Sequence, residues 1–113
     1  MAKEKTKSKD SEEKILPFTE IDKLIHEPAR LLLISLLYVV EEVDFVFLKS
    51  QTDLTDGNLS SHLSKLEDAG YVDIIKKTKG KRSQTLYSLT KEGRIAFDNY
   101  RKKMAKVLGN LTQ

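Results

Sequence analysis

The sequence predicts a mainly α-helical domain with one small β-hairpin. Apolar residues recur at helical spacing along most of the chain before Gly70, and after this glycine the pattern changes to alternation. A heptad-spaced stretch then follows near the end of the chain. The chain has 113 residues with a hydrophobic content of 39%, which suffices for one domain with a modest core.

The N-terminal part is expected to lead from a charged tail into a central helix. Residues 1–16 begin with alternating lysine, acidic and hydroxyl residues, and we expect them to form a disordered tail. A short helix capped by Thr19 is predicted next, with Ile21, Leu24 and Ile25 on its apolar side. Pro28 then begins a helix over residues 29–42, which is apolar almost all round and therefore predicted to be buried all round.

Residues 55–70 form the most informative stretch. Leu59, Leu63 and Leu66 share one helix face, and Gly70 stands where a glycine ends a helix. The opposite face carries serine and asparagine, which are poor helix formers, so helix propensity does not account for them. Such short side chains let a helix come close to the phosphates or base edges of a nucleic acid. The predicted contacts of this helix are Thr55 (also its N-cap), Gly57, Asn58, Ser60, Ser61, Ser64 and Lys65.

A short helix over residues 45–52, capped by Asp44, precedes this stretch, and a hairpin follows it. Residues 71–76 and 84–89 alternate and are rich in β-formers, so they are predicted strands around a loop that contains Gly80. Residues 76–82 carry five positive charges and no negative one. Such a run often marks only a solvated face, but its position favours contact with phosphates or the minor groove by Lys77, Lys79, Lys81 and Arg82.

The last predicted helix runs from Thr90 to about Leu108. Its apolar residues are spaced 3, 4, 3, 4, as in a coiled-coil seam. Two heptads are too short to form a stable dimer alone, but they can contribute to a larger interface. The predicted dimer interface is Phe97, Tyr100, Met104, Val107 and Leu111.

Together these elements predict a winged helix-turn-helix with an additional C-terminal dimerisation helix. We assign residues 1–16 to the disordered tail, 17–92 to the DNA-binding domain and 93–113 to the dimerisation helix. The net charge is only +3, but residues 65–113 hold 12 basic and 5 acidic residues. One basic end suggests a polyanionic partner there.

Several classes of protein are disfavoured by composition. The chain has no cysteine, and its two histidines, His26 and His62, lie far apart in sequence, so neither a metal site nor another cofactor is predicted. No nucleophile constellation or glycine-rich phosphate loop indicates an enzyme. No apolar run approaches a membrane span and no signal peptide is visible, so the expected location is cytoplasmic, at the nucleoid.

Four segments resemble the small winged-helix transcriptional regulators related to the MarR and ArsR groups. They are IHEPARL (25–31), LTDGNLSSHL (54–63), LEDAGYV (66–72) and LTKEGR (89–94). The resemblance implies a homodimer on a short pseudo-palindromic operator, with groove contacts from residues 55–65 and wing contacts near residues 79–82; it implies no effector. Arg30 matches the family's arginine after the proline, either in a structural ion pair or as a phosphate contact.

The predicted function is sequence-specific binding of double-stranded DNA by a homodimeric transcriptional regulator, a repressor. The helix at residues 55–69 would enter the major groove, and the wing at residues 76–83 would lie on phosphates or in the minor groove. Two alternatives stay open. One is a non-specific architectural DNA-binding protein, and the other is a winged-helix module that binds another protein.

Overall fold

The computed structural model describes residues 21–111, which form four helices and a three-stranded antiparallel sheet. This arrangement confirms the predicted fold class. The predicted tail and the Thr19 cap lie outside the described residues. In chain order the elements are α1 (Pro28–Val39), β1 (Val43–Asp44), α2 (Phe45–Thr52), α3 (Asp56–Asp68), β2 (Val72–Lys79), β3 (Arg82–Leu89) and α4 (Lys91–Leu111), with the sheet order β1-β3-β2.

The segment before α1 is not the predicted helix: residues 21–27 form turns and bends. Asp22 Oδ1 accepts hydrogen bonds from the backbone N–H groups of Leu24 and Ile25 at 2.9 and 3.2 Å. A short carboxylate that binds nearby N–H groups offers the backbone an alternative to a helix. Ile21 and Ile25 are nevertheless buried in the core.

Helix α1 crosses the centre of the domain. Glu27 caps it by accepting from the Arg30 N–H, and Pro28 occupies its first turn. Its end at Val39 is earlier than predicted, and the chain by itself does not bury the helix all round. Val39 is 82% exposed and Leu32 is 40% exposed, because the other elements cover only part of its circumference.

The core joins α1 to the helix-turn-helix and the sheet. Leu48 from α2 and three leucines of α3 are buried with the inner face of α1. Burying one such side chain stabilises the fold by about 1.5–3 kcal/mol, so the leucines fix the orientation of α3. The fully buried side chains are Ile25, Leu33, Ile34, Leu37, Leu48, Leu59, Leu63, Leu66 and Val72.

Strand β1 was not predicted. Its two residues pair with β3, Val43 opposite Tyr87 and Asp44 opposite Leu86. The strand holds the hairpin against the segment that leads into α2. Because β1 directly precedes α2, this pairing connects the hairpin base to the helix-turn-helix.

Helix α4 is longer than predicted and partly belongs to the monomer core. Phe97 and Tyr100, two of the predicted dimer contacts, are only 7% and 6% exposed because their own chain covers them. Tyr38 on α1 donates a 2.8 Å hydrogen bond to Asp98, which further ties α4 to the domain. The five predicted dimer contacts therefore differ in their surroundings. Phe97 and Tyr100 are covered by their own chain, Met104 and Val107 are half-buried, and the Leu111 side chain lies outside the described ones.

Candidate nucleic-acid interface

Helix α3 presents the polar face that the sequence predicts. Its 13 residues span about 20 Å, enough to lie in a major groove. Leu59, Leu63 and Leu66 are at most 1% exposed, so the opposite side of the helix faces solvent. All seven predicted contacts of this helix are exposed: Thr55, Gly57, Asn58, Ser60, Ser61, Ser64 and Lys65.

Both ends of α3 are fixed by local hydrogen bonds. Thr55 Oγ1 accepts from the Asn58 N–H at 3.2 Å, which confirms the predicted N-cap. At the other end Gly70 has φ of +81°, and its N–H donates to the Glu67 carbonyl. Because glycine adopts this left-handed conformation without strain, the helix ends there and the chain turns into β2.

A salt bridge at the helix start offsets an unfavourable charge. Asp56 suits the positive N-terminus of α3, but its carboxylate would repel a phosphate. The Lys49 ammonium of α2 pairs with this carboxylate. The lysine thereby reduces the negative potential at the N-terminus of α3.

Three polar side chains connect the flank of α3 to the start of α1. Arg30 donates from Nε to the Leu24 carbonyl at 2.6 Å and from Nη1 to His62 Nδ1 at 3.1 Å. His62 Nδ1 also lies 3.9 Å from Glu27 Oε1. The hydrogen bond from the Arg30 backbone N–H, with the Arg30 charge adding to it, holds the pKa of Glu27 below its usual value. Arg30 thus contacts its own domain, through hydrogen bonds rather than the ion pair that the sequence offered as one alternative, and His62 is half-buried beside it.

The hairpin projects from the domain as a wing. Residues 76–84 are all exposed, whereas Val72 and Tyr87 near its base are buried. Lys79 pairs with Arg82 across a two-residue turn, Gly80-Lys81, in which Gly80 has φ of +65°. Lys79, Lys81 and Arg82 therefore lie together at the tip.

Lys77 differs from the other three predicted wing residues. Its Nζ lies 3.3 Å from Glu42 Oε1, in an ion pair between β2 and the residue before β1. Sequence reasoning missed this pair because Glu42 precedes Lys77 by 35 positions. Alternation along the strands, which the sequence shows, would have separated Lys77 from Lys76.

The described part of the chain holds neither a candidate metal-ion cluster nor a membrane-spanning helix. Among residues 21–111, no three histidine, aspartate or glutamate side chains are grouped closely enough to hold a metal ion. None of the helices in this range is long and apolar enough to cross a membrane.

The family model described as the winged helix DNA-binding domain matches residues 29–108, most of the chain. The chain belongs to this family. The match runs from the start of α1 almost to the end of α4, so it includes both α3 and the wing.

Relatives of this winged-helix protein agree with the assignment. An uncharacterized protein of Methanocaldococcus jannaschii is 41% identical over 78 residues, which are 69% of this chain and 85% of that protein. The structure of a transcriptional regulator homologue from Pyrococcus horikoshii superposes with a TM-score of 0.75 at 26% identity, covering 81% of this chain and 91% of that one. The transcriptional repressor BigR from Xylella fastidiosa gives a TM-score of 0.58 at 27% identity, covering 74% and 80%. The predicted resemblance to small winged-helix regulators is therefore confirmed.

Proposed function

We propose that this winged-helix protein binds specific double-stranded DNA as a homodimer and represses transcription from the bound site. The observation that carries the proposal is the exposed serine and asparagine face of α3, held in place by three buried leucines. Hydroxyl and amide groups at this spacing can hydrogen-bond to base edges in the major groove, where each base pair has its own donor and acceptor pattern. The same five side chains from the sequence prediction, Asn58, Ser60, Ser61, Ser64 and Lys65, are the proposed groove contacts.

The wing tip would add affinity without adding sequence information. Lys79, Lys81 and Arg82 place three cationic side chains around a two-residue turn, which suits phosphates or a minor groove. Thr55 and Gly57, at the start of α3, would lie near the DNA backbone. The positive charges of the wing would position the protein on the DNA backbone, and the hydrogen-bonding groups of α3 would recognise the base sequence.

Dimerisation would double the contacted site. In a symmetric dimer the two α3 helices would meet half-sites about 34 Å apart, one duplex turn. Repression is the simplest consequence of such occupancy, because a protein on promoter DNA blocks access by polymerase. The similarity to BigR, a transcriptional repressor, supports this role. A chromosomal target would put the protein in the cytoplasm, at the nucleoid.

Selection of bound duplexes from a random pool tests the proposal. We expect a short, pseudo-palindromic consensus and an affinity for it about 10³-fold or more above that for random duplex at the same salt concentration. A ratio near one would instead identify an architectural DNA-binding protein. Absence of any duplex binding at ~100 µM protein and low salt would favour a protein-binding module, because non-specific binding alone should appear there.

Transcription in vitro tests the repressor role. The selected duplex is placed across a promoter, and the same promoter with a scrambled site is the control. We expect the protein to lower transcript from the first template only. An increase in transcript would show an activator.

A further inference from the structure

The two faces of the wing differ in chemistry. Residues directly opposite each other in paired strands place their side chains on the same face, and successive residues alternate. One face carries the pairs Ile74–Tyr87, Lys76–Thr85 and Thr78–Ser83. The other face carries Ile75–Leu86, Lys77–Gln84 and Lys79–Arg82.

The face that begins with Tyr87 is turned toward α3. Tyr87 is 8% exposed and belongs to the same core cluster as Leu63 and Leu66 of the helix. Burial raises the pKa of Tyr87, and the nearby Glu67 carboxylate on α3 raises it further. Lys76 follows Ile74 on this face. Its side chain therefore lies on the same side of the sheet as α3, farther out along the wing.

The opposite face is partly occupied by an ion pair within the protein. Lys77 Nζ lies 3.3 Å from Glu42 Oε1, so this ammonium is shared with a carboxylate. A carboxylate at this position would also repel a phosphate. Lys77 and Lys76 are neighbours in sequence and both exposed, yet only Lys77 has this partner among the residues described.

We infer that, below the tip cations Lys79, Lys81 and Arg82, the strands of the wing meet DNA with their α3 side, formed by Lys76, Thr78, Ser83 and Thr85. We infer further that Lys77 instead holds the wing to Glu42. This inference rests on the proposed function and assigns the phosphate-binding surface within it. One ammonium and three hydroxyl groups are a typical set for backbone contacts to DNA. Because they continue the side on which α3 lies, the same duplex can touch both elements.

A matched pair of variants tests the inference, Lys76→Gln and Lys77→Gln. Each removes one positive charge from adjacent positions, so the loss of net charge is the same. Affinity for the selected duplex is measured as a function of salt concentration. We expect Lys76→Gln to reduce the magnitude of the slope by about 0.9, the value for one phosphate contact, and Lys77→Gln to reduce it by less than half as much.

Two further variants check the hydroxyl groups. Thr78→Val and Ser83→Ala should weaken binding several-fold with little change in the salt slope, because they remove hydrogen bonds but no charge. Either unchanged affinity in both hydroxyl variants or a slope change for Lys77→Gln as large as that for Lys76→Gln would overturn the inference.

The structural role of Lys77 has its own readout. Amide hydrogen exchange in β1 and β2 should be about twofold faster in Lys77→Gln and in Glu42→Gln, as expected of one exposed ion pair, but unchanged in Lys76→Gln. If the unsubstituted protein fails to bind any duplex, the proposed function fails and this inference with it. If that protein binds and the two lysine variants show the reverse order, only the inference fails.

Discussion

At the scale of single residues, Gly93 marks the place where α4 meets the turn after α3. A Cβ atom at this position would lie 2.3 Å from the Tyr71 carbonyl oxygen and 2.7 Å from Leu89 Cδ1. The same junction is held by Thr90, whose hydroxyl donates to the Gly70 carbonyl at 2.6 Å and accepts from the Gly93 N–H at 2.9 Å. The glycine is needed here for close approach of two backbones.

Replacing Gly93 by alanine should therefore destabilise the domain. Relief of the contact requires movement of backbone, and overpacking of this kind costs about 1–3 kcal/mol. Gly57→Ala is the matched control, since nothing lies within 4 Å of its added Cβ and alanine is favoured inside a helix. Denaturant unfolding should give a lower free energy for Gly93→Ala and an equal or higher one for Gly57→Ala. Equal stability of the two variants would show that the junction yields easily.

Tyr71 offers a test of a half-buried hydrogen bond. Its hydroxyl donates to Asp22 Oδ2 at 2.7 Å, and burial together with this carboxylate raises its pKa to about 12. The folded state thus holds the proton more tightly than the unfolded state, whose pKa is about 10. The stabilisation is complete below about pH 10 and is lost as the pH rises toward 12.

Absorbance titration of the tyrosines should detect this group. In Asp22→Asn, the Tyr71 pKa should fall but stay above its ordinary value, because burial is the larger cause. Asparagine keeps the Oδ1 acceptor used by Leu24 and Ile25, so the local turn is preserved. A titration curve identical to that of the unsubstituted protein would mean that Asp22 does not influence Tyr71.

At the scale of secondary-structure elements, the sequence predicts best the helices and strands whose caps and apolar spacing lie close together in the chain. Helix α3 has its N-cap, its leucine spacing and its terminal glycine within 16 consecutive residues, and its limits were predicted almost to the residue. Strand β1 has only Val43 and Asp44, and its pairing with Tyr87 and Leu86 spans more than 40 positions. No local pattern encodes such a pairing.

The candidate nucleic-acid interface likewise has some features that the sequence predicts and others that it does not. Exposure of Asn58, Ser61 and Lys65 followed from helical periodicity, which is local. The ion pair of Lys77 with Glu42 depends on tertiary structure, so the sequence could assign the lysines to strand faces but could not show which of them has a carboxylate partner. The short helix expected before α1 failed because one side chain, Asp22, competes for the backbone N–H groups.

Asp44 tests the link between the sheet and the helix-turn-helix. It belongs to β1 and also caps α2, since Oδ1 accepts from the Phe47 N–H at 2.9 Å. Asp44→Ala should reduce the free energy of unfolding by about 1 kcal/mol, while Asp44→Asn, which keeps an acceptor, should cost less. Thermal unfolding of the two variants measures the difference. If both variants are equally destabilised, the charge of Asp44 rather than its cap would be the important feature.

At the scale of the whole molecule, α4 serves two purposes along its length. Its first half packs on α1 and the sheet through Phe97 and Tyr100, and its second half extends the same stripe through Met104 and Val107. A heptad pattern does not show whether the apolar stripe packs on the same chain or on another copy. The sequence therefore could not distinguish core packing from dimerisation. Leu108, which is 55% exposed, lies beside this stripe and is available to a second copy.

The proposed dimer can be tested without disturbing the monomer core. Leu108→Asp introduces a charge beside the second half of the stripe, where a partner helix would bury it at a cost, so we expect dissociation to monomers. Ile95→Asp is the control, since Ile95 is similarly exposed at 52% but lies about 140° away around the helix axis. Sedimentation should show a dimer for the unsubstituted protein and for Ile95→Asp, and a monomer for Leu108→Asp. Loss of the dimer in Ile95→Asp but not in Leu108→Asp would place the interface on the opposite side of α4, and the half-site spacing expected for the operator would change with it.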